Sequence, residues 1–262
     1  MRWLGNLIKA WAYISFALVC AVILFLFGFV FYRGAGTISL EFLTEAPRGL
    51  ILGEEGGIFP AIIGSLMFTG TALVLGGIPA IATALLVVFY CSNRYMEEGI
   101  HLVIQCISGI PSIVLGLFAY SFLVRDLDFG RCIFSAGVAL AIMILPFIEV
   151  RAEKAFREVP VHIVQSSYAL GCSRFYTISR IILPSCRGEL VSGLILGGCY
   201  AMGATAPMIF TGAVAYAAVP DSLFAPAMAL PLHLYLLVAQ GATSMDTAYG
   251  TAFVMMAIIL IS

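Results

Sequence analysis

Long blocks of apolar residues, each near the length of one bilayer crossing, constrain this chain more than any other feature. A transmembrane helix needs roughly 20 consecutive apolar residues. Only 10% of the 262 residues are Asp, Glu, Lys or Arg and 62% are hydrophobic, whereas soluble domains average about 25% charged residues. With a net charge of −1 and no basic tract, the chain is not a soluble globule, a disordered chain or a nucleic-acid binder. The sequence predicts an all-α polytopic membrane protein.

The apolar blocks predict six transmembrane helices, at about residues 11–32, 60–90, 100–124, 132–150, 190–214 and 247–262. The first block is longer than the roughly 7–15-residue apolar core of a signal peptide, so we expect an uncleaved helix. A shorter block at residues 224–240 contains Pro226 and Pro231. Six crossings require this block to stay on the outer side, as a surface or re-entrant helix.

The basic residues predict the orientation, because Lys and Arg are enriched in cytoplasmic loops. A cytoplasmic N-terminus assigns nine of them to the inside: Arg2, Lys9, Arg94, Arg151, Lys154, Arg157, Arg174, Arg180 and Arg187. The outside then holds four: Arg33, Arg48, Arg125 and Arg131. We therefore expect a multi-pass membrane protein with a cytoplasmic N-terminus. The last span is short and lacks basic flanks, so we expect the natural chain to continue beyond Ser262.

Motifs for catalysis and for bound cofactors are missing from the sequence. There is no GxxxxGK[ST] phosphate loop, so we expect no ATPase site of that type in this chain. There is no HExxH and no paired CxxC, and His101, His162 and His233 lie in different segments without ligand spacing, so we expect no metal and no cofactor. The seven scattered cysteines indicate no disulfide framework. These observations disfavour a membrane enzyme.

The predicted helix centres also lack charge, because acidic residues such as Glu149 lie at helix ends or in loops. Ion-coupled carriers usually keep ionisable groups inside the bilayer, where titration drives transport. A stand-alone secondary carrier or channel for a small solute is therefore disfavoured but stays open as an alternative.

The longest inner loop, residues 151–189, predicts two short helices. Pro160 suits the first helical position and Gly171 the left-handed end of the first helix. Ser173 suits the N-cap of the second helix, which should end before Pro184. Apolar residues follow one face of each helix: Val161, Val164 and Tyr168, then Phe175, Ile178 and Ile182. Such a pair needs a cover, which is either the membrane domain of this chain or a partner protein.

Small residues recur every four positions on two predicted spans. The rows are Ser108, Ser112 and Gly116 on the third span, and Gly193, Gly197, Ala201 and Thr205 on the fifth. Such rows allow close packing of helices in lipid. The alternative interpretation is that they face a translocation pathway, where Ser112 and Thr205 would offer hydroxyl groups to a polar solute.

Within the loop 151–189, one stretch resembles the EAA loop of ABC importer permeases, EAA-x3-G-x9-I-x-L-P. Its spacing is intact, with Gln165 and Ser166 in place of the family Glu and Ala. The third position is Ser167, the residue that some phosphate permeases carry there. In that family the loop docks in a groove of the cytoplasmic ATPase and transmits its closure to the membrane helices. The resemblance therefore implies an ATPase-coupling loop made of Gln165, Ser166, Ser167, Gly171, Phe175, Ile181, Leu183 and Pro184.

Four further stretches extend the resemblance to the binding-protein-dependent, MetI-like permease superfamily and, within it, to phosphate permease subunits of the PstA type. Residues 57–66 resemble the start of the permease core, and residues 109–118 resemble the GxPSIxxGLF helix. Residues 203–211 are similar to GETAPLLFT, and residues 230–235 to LPxxIY. The resemblance implies an N-terminal transmembrane helix and outer loop over residues 1–56, and a permease core over residues 57–262.

The resemblance also implies the function, the partners and a location in a bacterial-type cytoplasmic (inner) membrane. It identifies the chain as one permease subunit of an ATP-driven importer, with phosphate as the expected solute. The expected partners are a second permease subunit of the PstC type, two ATPase subunits that bind ATP and Mg, and an extracytoplasmic solute-binding protein.

The fifth predicted helix departs from the family pattern. PstA-type permeases carry an Arg and, four residues later, a Glu, where this chain has Tyr200 and Ala204. Residues at i and i+4 share a helical face, so losing both charges together leaves no unpaired buried charge. It also removes a positive group that could attract an oxyanion, so a different oxyanion is the alternative solute. The candidate pathway residues are Ser108, Ser112, Tyr200, Ala204, Thr205 and Pro207.

Overall fold

The computed structural model of the protein describes residues 2–49, 51–241 and 244–262, and it confirms the predicted all-α fold class. The α-helices, in chain order, are α1 (Arg2–Gly34), α2 (Leu40–Thr44), α3 (Phe59–Ala72), α4 (Ile78–Leu85), α5 (Arg94–Ser108), α6 (Ser112–Ala119), α7 (Ile133–Arg157), α8 (Val161–Ala169), α9 (Arg174–Thr177), α10 (Leu183–Ser185), α11 (Arg187–Gly203), α12 (Ala206–Thr211), α13 (Leu230–Gln240) and α14 (Met245–Ile261). The π-helical segments Leu73–Gly77, Leu86–Tyr90, Tyr120–Asp126 and Ile178–Ile182 continue α3, α4, α6 and α9. Two short strands, β1 (Pro47–Arg48) and β2 (Glu55–Gly56), pair antiparallel.

Several of these helices are long and apolar enough to cross a membrane. Three qualify alone: Gly5–Gly34, Phe59–Tyr90 and Ile133–Arg157. Two bent pairs qualify together: Arg94–Ser108 with Ser112–Asp126, and Arg174–Ser185 with Arg187–Gly203. The chain is therefore a multi-pass membrane protein, whereas the count of six crossings stays a prediction.

The shorter apolar helices lie near the C-terminus. α13 has 11 residues and so spans about 16 Å, well short of the roughly 30 Å of a hydrocarbon core. This length agrees with the expectation that residues 224–240 do not cross the membrane. Their surface or re-entrant location stays a prediction.

Two predicted continuous spans are wrong. Residues 100–124 are broken after α5 and the two halves are bent by 93°, with Pro111 in an extended conformation. Residues 190–214 are broken where α11 ends and Ala204 is extended. Proline lacks an N–H group and its ring clashes with the carbonyl four residues back. Pro111 and Pro207 therefore end helices that hydropathy alone would continue.

The chain divides into two compact units, residues 1–58 with 234–261 and residues 59–233 with 262. The division after residue 56 that the sequence suggested stays a prediction. In the first unit, α1 contacts α14 through two edge-on aromatic pairs, Phe29–Tyr249 and Phe31–Phe253, whose ring centroids are 5.7 and 5.3 Å apart. The Thr247 hydroxyl donates a hydrogen bond to the Gly53 carbonyl at 2.7 Å, which ties the loop after β1 to α14.

In the second unit, α7 is the central helix, and α3, α4, α6 and α11 pack against it. Leu140, Ile144 and Ile148 of α7 are almost fully buried. Small residues bring the neighbouring helices close: a Cβ atom added at Gly197 would lie 2.8 Å from the Ile148 side chain. This part of the α11 row serves helix packing.

We predict that Gly76→Ala destabilises the protein, because the added Cβ atom would lie 2.7 Å from the backbone carbonyl oxygen of Ala141. The matched control is Gly70→Ala in the same apolar helix, where no atom lies within 4 Å of the added Cβ. Alanine is better than glycine in helices by about 1 kcal/mol, so the control should hold or gain stability. Thermal unfolding in detergent measures both; equal midpoints for the two variants would refute the close approach.

Candidate functional site

Residues 161–185, which we call the helical hairpin, form the two helices that the loop sequence predicts. α8 begins directly after Pro160, one position later than expected. Gly171 follows α8 with φ +79°, in the left-handed region that favours glycine. The Ser173 hydroxyl accepts a hydrogen bond from the backbone N–H of Tyr176 and caps the second helix. The predicted helix end and N-cap are confirmed.

The second helix continues past Pro184, so the prediction that it ends before this residue is wrong. In the π-helical segment before it, the N–H of Leu183 donates to the carbonyl of Ile178, five residues back. This wider turn shifts the hydrogen-bond register. Pro184 then stands in the first turn of α10, where a missing N–H group costs little.

One side of the helical hairpin is buried against the membrane helices. Ile178 and Ile182 belong to a core that includes Phe156 of α7. The hydroxyl oxygens of Ser167 and Thr177 lie 2.8 Å apart in a buried contact between the two hairpin helices. On this side, the chain itself covers the apolar residues.

The rest of the helical hairpin is exposed and carries several large apolar side chains. The exposed fractions of Leu170 and Phe175 are 83% and 76%, and Val161, Tyr168 and Tyr176 are exposed as well. Phe175 therefore does not share the buried face of Ile178 and Ile182 that its spacing suggested. Of the predicted coupling residues, Gln165, Ser166, Gly171, Phe175 and Pro184 are exposed, Ile181 and Leu183 are half-buried, and Ser167 is buried.

A cavity of about 730 Å³ lies among α5, α6, α7 and α11. Most of its lining is apolar, and the polar side chains come from Gln105, Ser108, Ser112, Arg151 and Tyr200. The residues between α5 and α6, where the predicted third span breaks, form part of the wall. Three predicted pathway residues, Ser108, Ser112 and Tyr200, thus line one cavity.

A second cavity of about 380 Å³ shares Ser112, Met143 and Tyr200 with the first. Ala204 and Thr205, in the break between α11 and α12, line it as well. Pro207 borders neither cavity: it is buried, and a Cβ atom added at Gly116 would lie 2.9 Å from its Cα atom. The structure therefore brings five of the six predicted pathway residues together, while Pro207 packs α12 against α6.

The electrostatics of the larger cavity depend on Arg151, since among its described lining residues Arg151 alone carries a charge. Its guanidinium lies 5.4 Å from the ring centroid of Phe147, and that ring is 6.2 Å from the ring of Tyr200. Sequence reasoning used Arg151 only to set the orientation and missed this location. The i, i+4 spacing of Phe147 and Arg151 was the available signal.

Comparison with known proteins gives consistent matches. Residues 84–262 match the protein-family model described as "Binding-protein-dependent transport system inner membrane component". The chain is 31% identical over 208 residues to the probable phosphate transport system permease protein PstA of Methanocaldococcus jannaschii, covering 79% of this chain and 73% of that protein. It is 30% identical over 224 residues to the phosphate transport system permease protein PstA 1 of Mycobacterium tuberculosis, covering 84% and 73%.

The solved structures that resemble this chain support the same fold. An inward-facing conformation of the MetNI methionine ABC transporter aligns with a TM-score of 0.57 and 17% identity, covering 78% of this chain and 90% of that chain. A second crystal form gives a TM-score of 0.56 and 19% identity, covering 78% and 96%. At these identities the likeness describes the fold alone, which this chain shares with those chains of the MetNI transporter.

We predict that Ser167→Ala loosens the helical hairpin, because it removes one partner of the buried contact with the Thr177 hydroxyl. Loss of a hydrogen bond of this kind costs about 1 kcal/mol, so the thermal midpoint should fall by roughly 2–4 °C. The neighbouring Ser166→Ala variant is the control, since Ser166 is exposed and surface changes stay within about 0.5 kcal/mol. Equal shifts in the two variants would show that the Ser167–Thr177 contact does not stabilise the hairpin.

Proposed function

The chain belongs to the family of binding-protein-dependent transport system inner membrane components, and on that premise we propose that it is the permease subunit of an ATP-driven importer for inorganic phosphate. The single observation that carries this proposal is the 30–31% identity, over 79–84% of the chain, to relatives named as phosphate transport permeases. In this assignment the chain contributes transport helices, while ATP and Mg bind to a separate ATPase.

The cavity chemistry supports an anionic solute. The guanidinium of Arg151 offers a positive charge and several N–H donors, which suit a phosphate group. The hydroxyls of Ser108 and Ser112 and the phenol of Tyr200 add further donors around the same cavity. Among the described lining residues no acidic side chain opposes them. Arg151 thus supplies the positive charge that the family pattern would place at position 200.

The assembly follows from the same assignment. The cavities of this chain form half of a translocation pathway, and a second permease subunit of the PstC type supplies the other half. Two ATPase subunits lie on the cytoplasmic side, and an extracytoplasmic binding protein delivers the solute. The N-terminus is cytoplasmic, which puts the helical hairpin on the side of the ATPases and agrees with the larger number of basic residues there.

The helical hairpin couples the ATPase to the cavity. Its exposed apolar side, with Leu170 and Phe175, is the docking surface. Its buried side is joined to α7 through the core around Phe156, and α7 also carries Phe147 and Arg151 of the cavity wall. Closure of the ATPase pair upon ATP binding would therefore move the hairpin and α7 together. The cavity would then close to the cytoplasm and open to the outer side of the membrane.

The departure at Gln165 affects how this docking works. A glutamine keeps the length and hydrogen bonding of the family glutamate but has no charge. Gln165 and Ser166 are exposed and so are available to a partner. Docking then relies on apolar contacts and neutral hydrogen bonds more than on an ion pair.

Purification in a gentle detergent from native membranes tests the assembly, with mass spectrometry of the co-purifying chains. We expect an ATPase with a phosphate loop and a second permease. The co-purifying binding protein can then be titrated with phosphate and with sulfate, arsenate and molybdate to identify the oxyanion. Recovery of the chain alone, under conditions that keep known complexes intact, would favour a stand-alone carrier or channel.

We predict that Phe175→Ser releases the ATPase and lowers transport at least tenfold. An exposed aromatic at the centre of an interface commonly contributes 2 kcal/mol or more to binding. The control is Tyr95→Ser, which changes an aromatic of similar exposure at the start of α5, outside the helical hairpin. Pull-down of the ATPase and phosphate uptake measure the effect, and retention of both by Phe175→Ser would refute docking at this surface.

We predict that Arg151→Gln lowers kcat/KM for phosphate uptake roughly 10–100-fold, because a hydrogen bond to a charged group contributes about 1.5–3 kcal/mol. Arg151→Lys should recover part of the loss by keeping the charge. The control is Lys154→Gln, three residues on, whose side chain is exposed and 3.8 Å from Glu158. If Arg151→Gln and Lys154→Gln transport phosphate alike, the cavity charge does not act on the solute.

A further inference from the structure

Five ionisable side chains from two helices meet at one end of α7, and we call them the Glu–His cluster. Glu97 and His101 come from α5, and Glu149, Glu153 and Arg157 from α7. His101 Nε2 lies 2.9 Å from Glu153 Oε2. Arg157 donates to Oε1 of Glu153 at 2.7 Å and to Oε1 of Glu97 at 2.5 Å.

Glu149 is the unexplained member of the cluster. It is fully buried, and among the described residues neither of its carboxylate oxygens has a hydrogen-bond partner. Glu149 and Glu153 are four residues apart on α7 and so share one helical face. The Glu149 carboxyl group is close enough to interact electrostatically with Glu153, His101 and Arg157. A buried carboxylate without a partner is costly and rare, so its two free oxygens indicate a ligand between these residues.

The charges of the cluster do not balance. With Glu97, Glu149 and Glu153 all ionised and His101 neutral, three carboxylates stand against the single guanidinium of Arg157, an excess of two negative charges. A divalent cation has the charge that neutralises this excess, and it would satisfy the oxygens of Glu149 at the same time.

We propose that the Glu–His cluster binds one first-row divalent metal ion, with His101 Nε2, Glu149, Glu153 and Glu97 as ligands. Candidate ligand atoms of Glu97, His101 and Glu153 lie within 4.8 Å of one another. The 2.9 Å separation between His101 and Glu153 is close to that of two adjacent ligands that each bind a metal at about 2.0–2.2 Å. An imidazole combined with carboxylates suits Zn²⁺ or Mn²⁺ better than Ca²⁺ or Mg²⁺.

Arg157 and the surrounding burial support the ligand geometry. Arg157 donates hydrogen bonds to Oε1 of both Glu97 and Glu153. These bonds orient the two carboxylates, as hydrogen-bond partners of metal ligands commonly do. The Glu153 side chain is only 13% exposed, whereas those of His101 and Glu97 are 34% and 33% exposed. The site is thus closed on the side of Glu149 and open to solvent on the other.

The ion would join two of the helices that line the larger cavity. α5 contributes Gln105 and Ser108 to that cavity, and α7 contributes Phe147 and Arg151. Binding would hold the ends of α5 and α7 together. This site goes beyond the transport function and does not depend on it.

Metal binding by the purified full chain, co-expressed with its partner subunits, tests the proposal. The affinity tag is removed, bound metal is stripped with a chelator, and Zn²⁺ and Mn²⁺ are titrated separately by calorimetry. We expect one site per chain for at least one of these ions. The electron spin-echo spectrum of bound Mn²⁺ should show coupling to a ¹⁴N nucleus, which reports an imidazole ligand directly. Absence of stoichiometric binding of both ions, or bound Mn²⁺ without ¹⁴N coupling, would overturn the site.

Matched variants assign the ligands. We expect His101→Gln and Glu149→Gln each to weaken binding at least tenfold. Glu98→Gln, next to Glu97 but exposed and paired with Arg94, should bind as the unaltered chain does. Equal affinities in all three variants would show an adventitious ion only. The ¹⁴N coupling of the unaltered chain gives an answer even if a variant fails to fold.

Discussion

The structure depends on one constraint: in hydrocarbon every backbone N–H and C=O group must find its partner within the protein. Apolar stretches therefore become helices, and an interrupted helix is tolerated only where the freed groups are buried or line a cavity. The two predicted spans that the structure breaks follow this rule. The break between α5 and α6, at Pro111, lines the larger cavity, and the break between α11 and α12, at Ala204 and Thr205, lines the smaller one. The breaks at these prolines thus place the interrupted backbone at cavity walls, as this rule requires.

The helical hairpin shows how one short segment serves two surfaces. Ile178 and Ile182 are buried in the core of the second unit, and Phe175 is exposed. The buried contact between Ser167 and Thr177 keeps the two hairpin helices together. One side of the hairpin is held against α7 and the other is exposed, so in the proposed assembly a partner docked on the exposed side would pass its movement to α7.

The sequence predicted the helical class and the hairpin with its Gly171 end and Ser173 cap, since these depend on local spacing and turn chemistry. Ser112, Tyr200 and Thr205 do line the cavities, whereas their place on a solute pathway stays a prediction. The sequence did not predict that the helix begun by α9 continues through a π-helical segment to Pro184 in α10, because such π turns are rare and are not expected from local spacing. The Glu–His cluster was missed for a different reason. Its members are spaced i, i+4 on each of two helices, but only the packing of α5 on α7 shows that His101 faces Glu149 and Glu153.

The central claim is that this chain is half of an ATP-driven pathway for phosphate, and radiolabelled phosphate uptake into proteoliposomes tests it most directly. The chain is reconstituted with its co-purified permease and ATPase so that the ATPase faces the interior of the vesicles, which contains ATP. The binding protein is added outside. The account predicts phosphate accumulation that needs ATP, the binding protein and this chain together, and that excess sulfate does not suppress. Accumulation by this chain alone without ATP, or ATP-driven uptake of another oxyanion but not of phosphate, would contradict it.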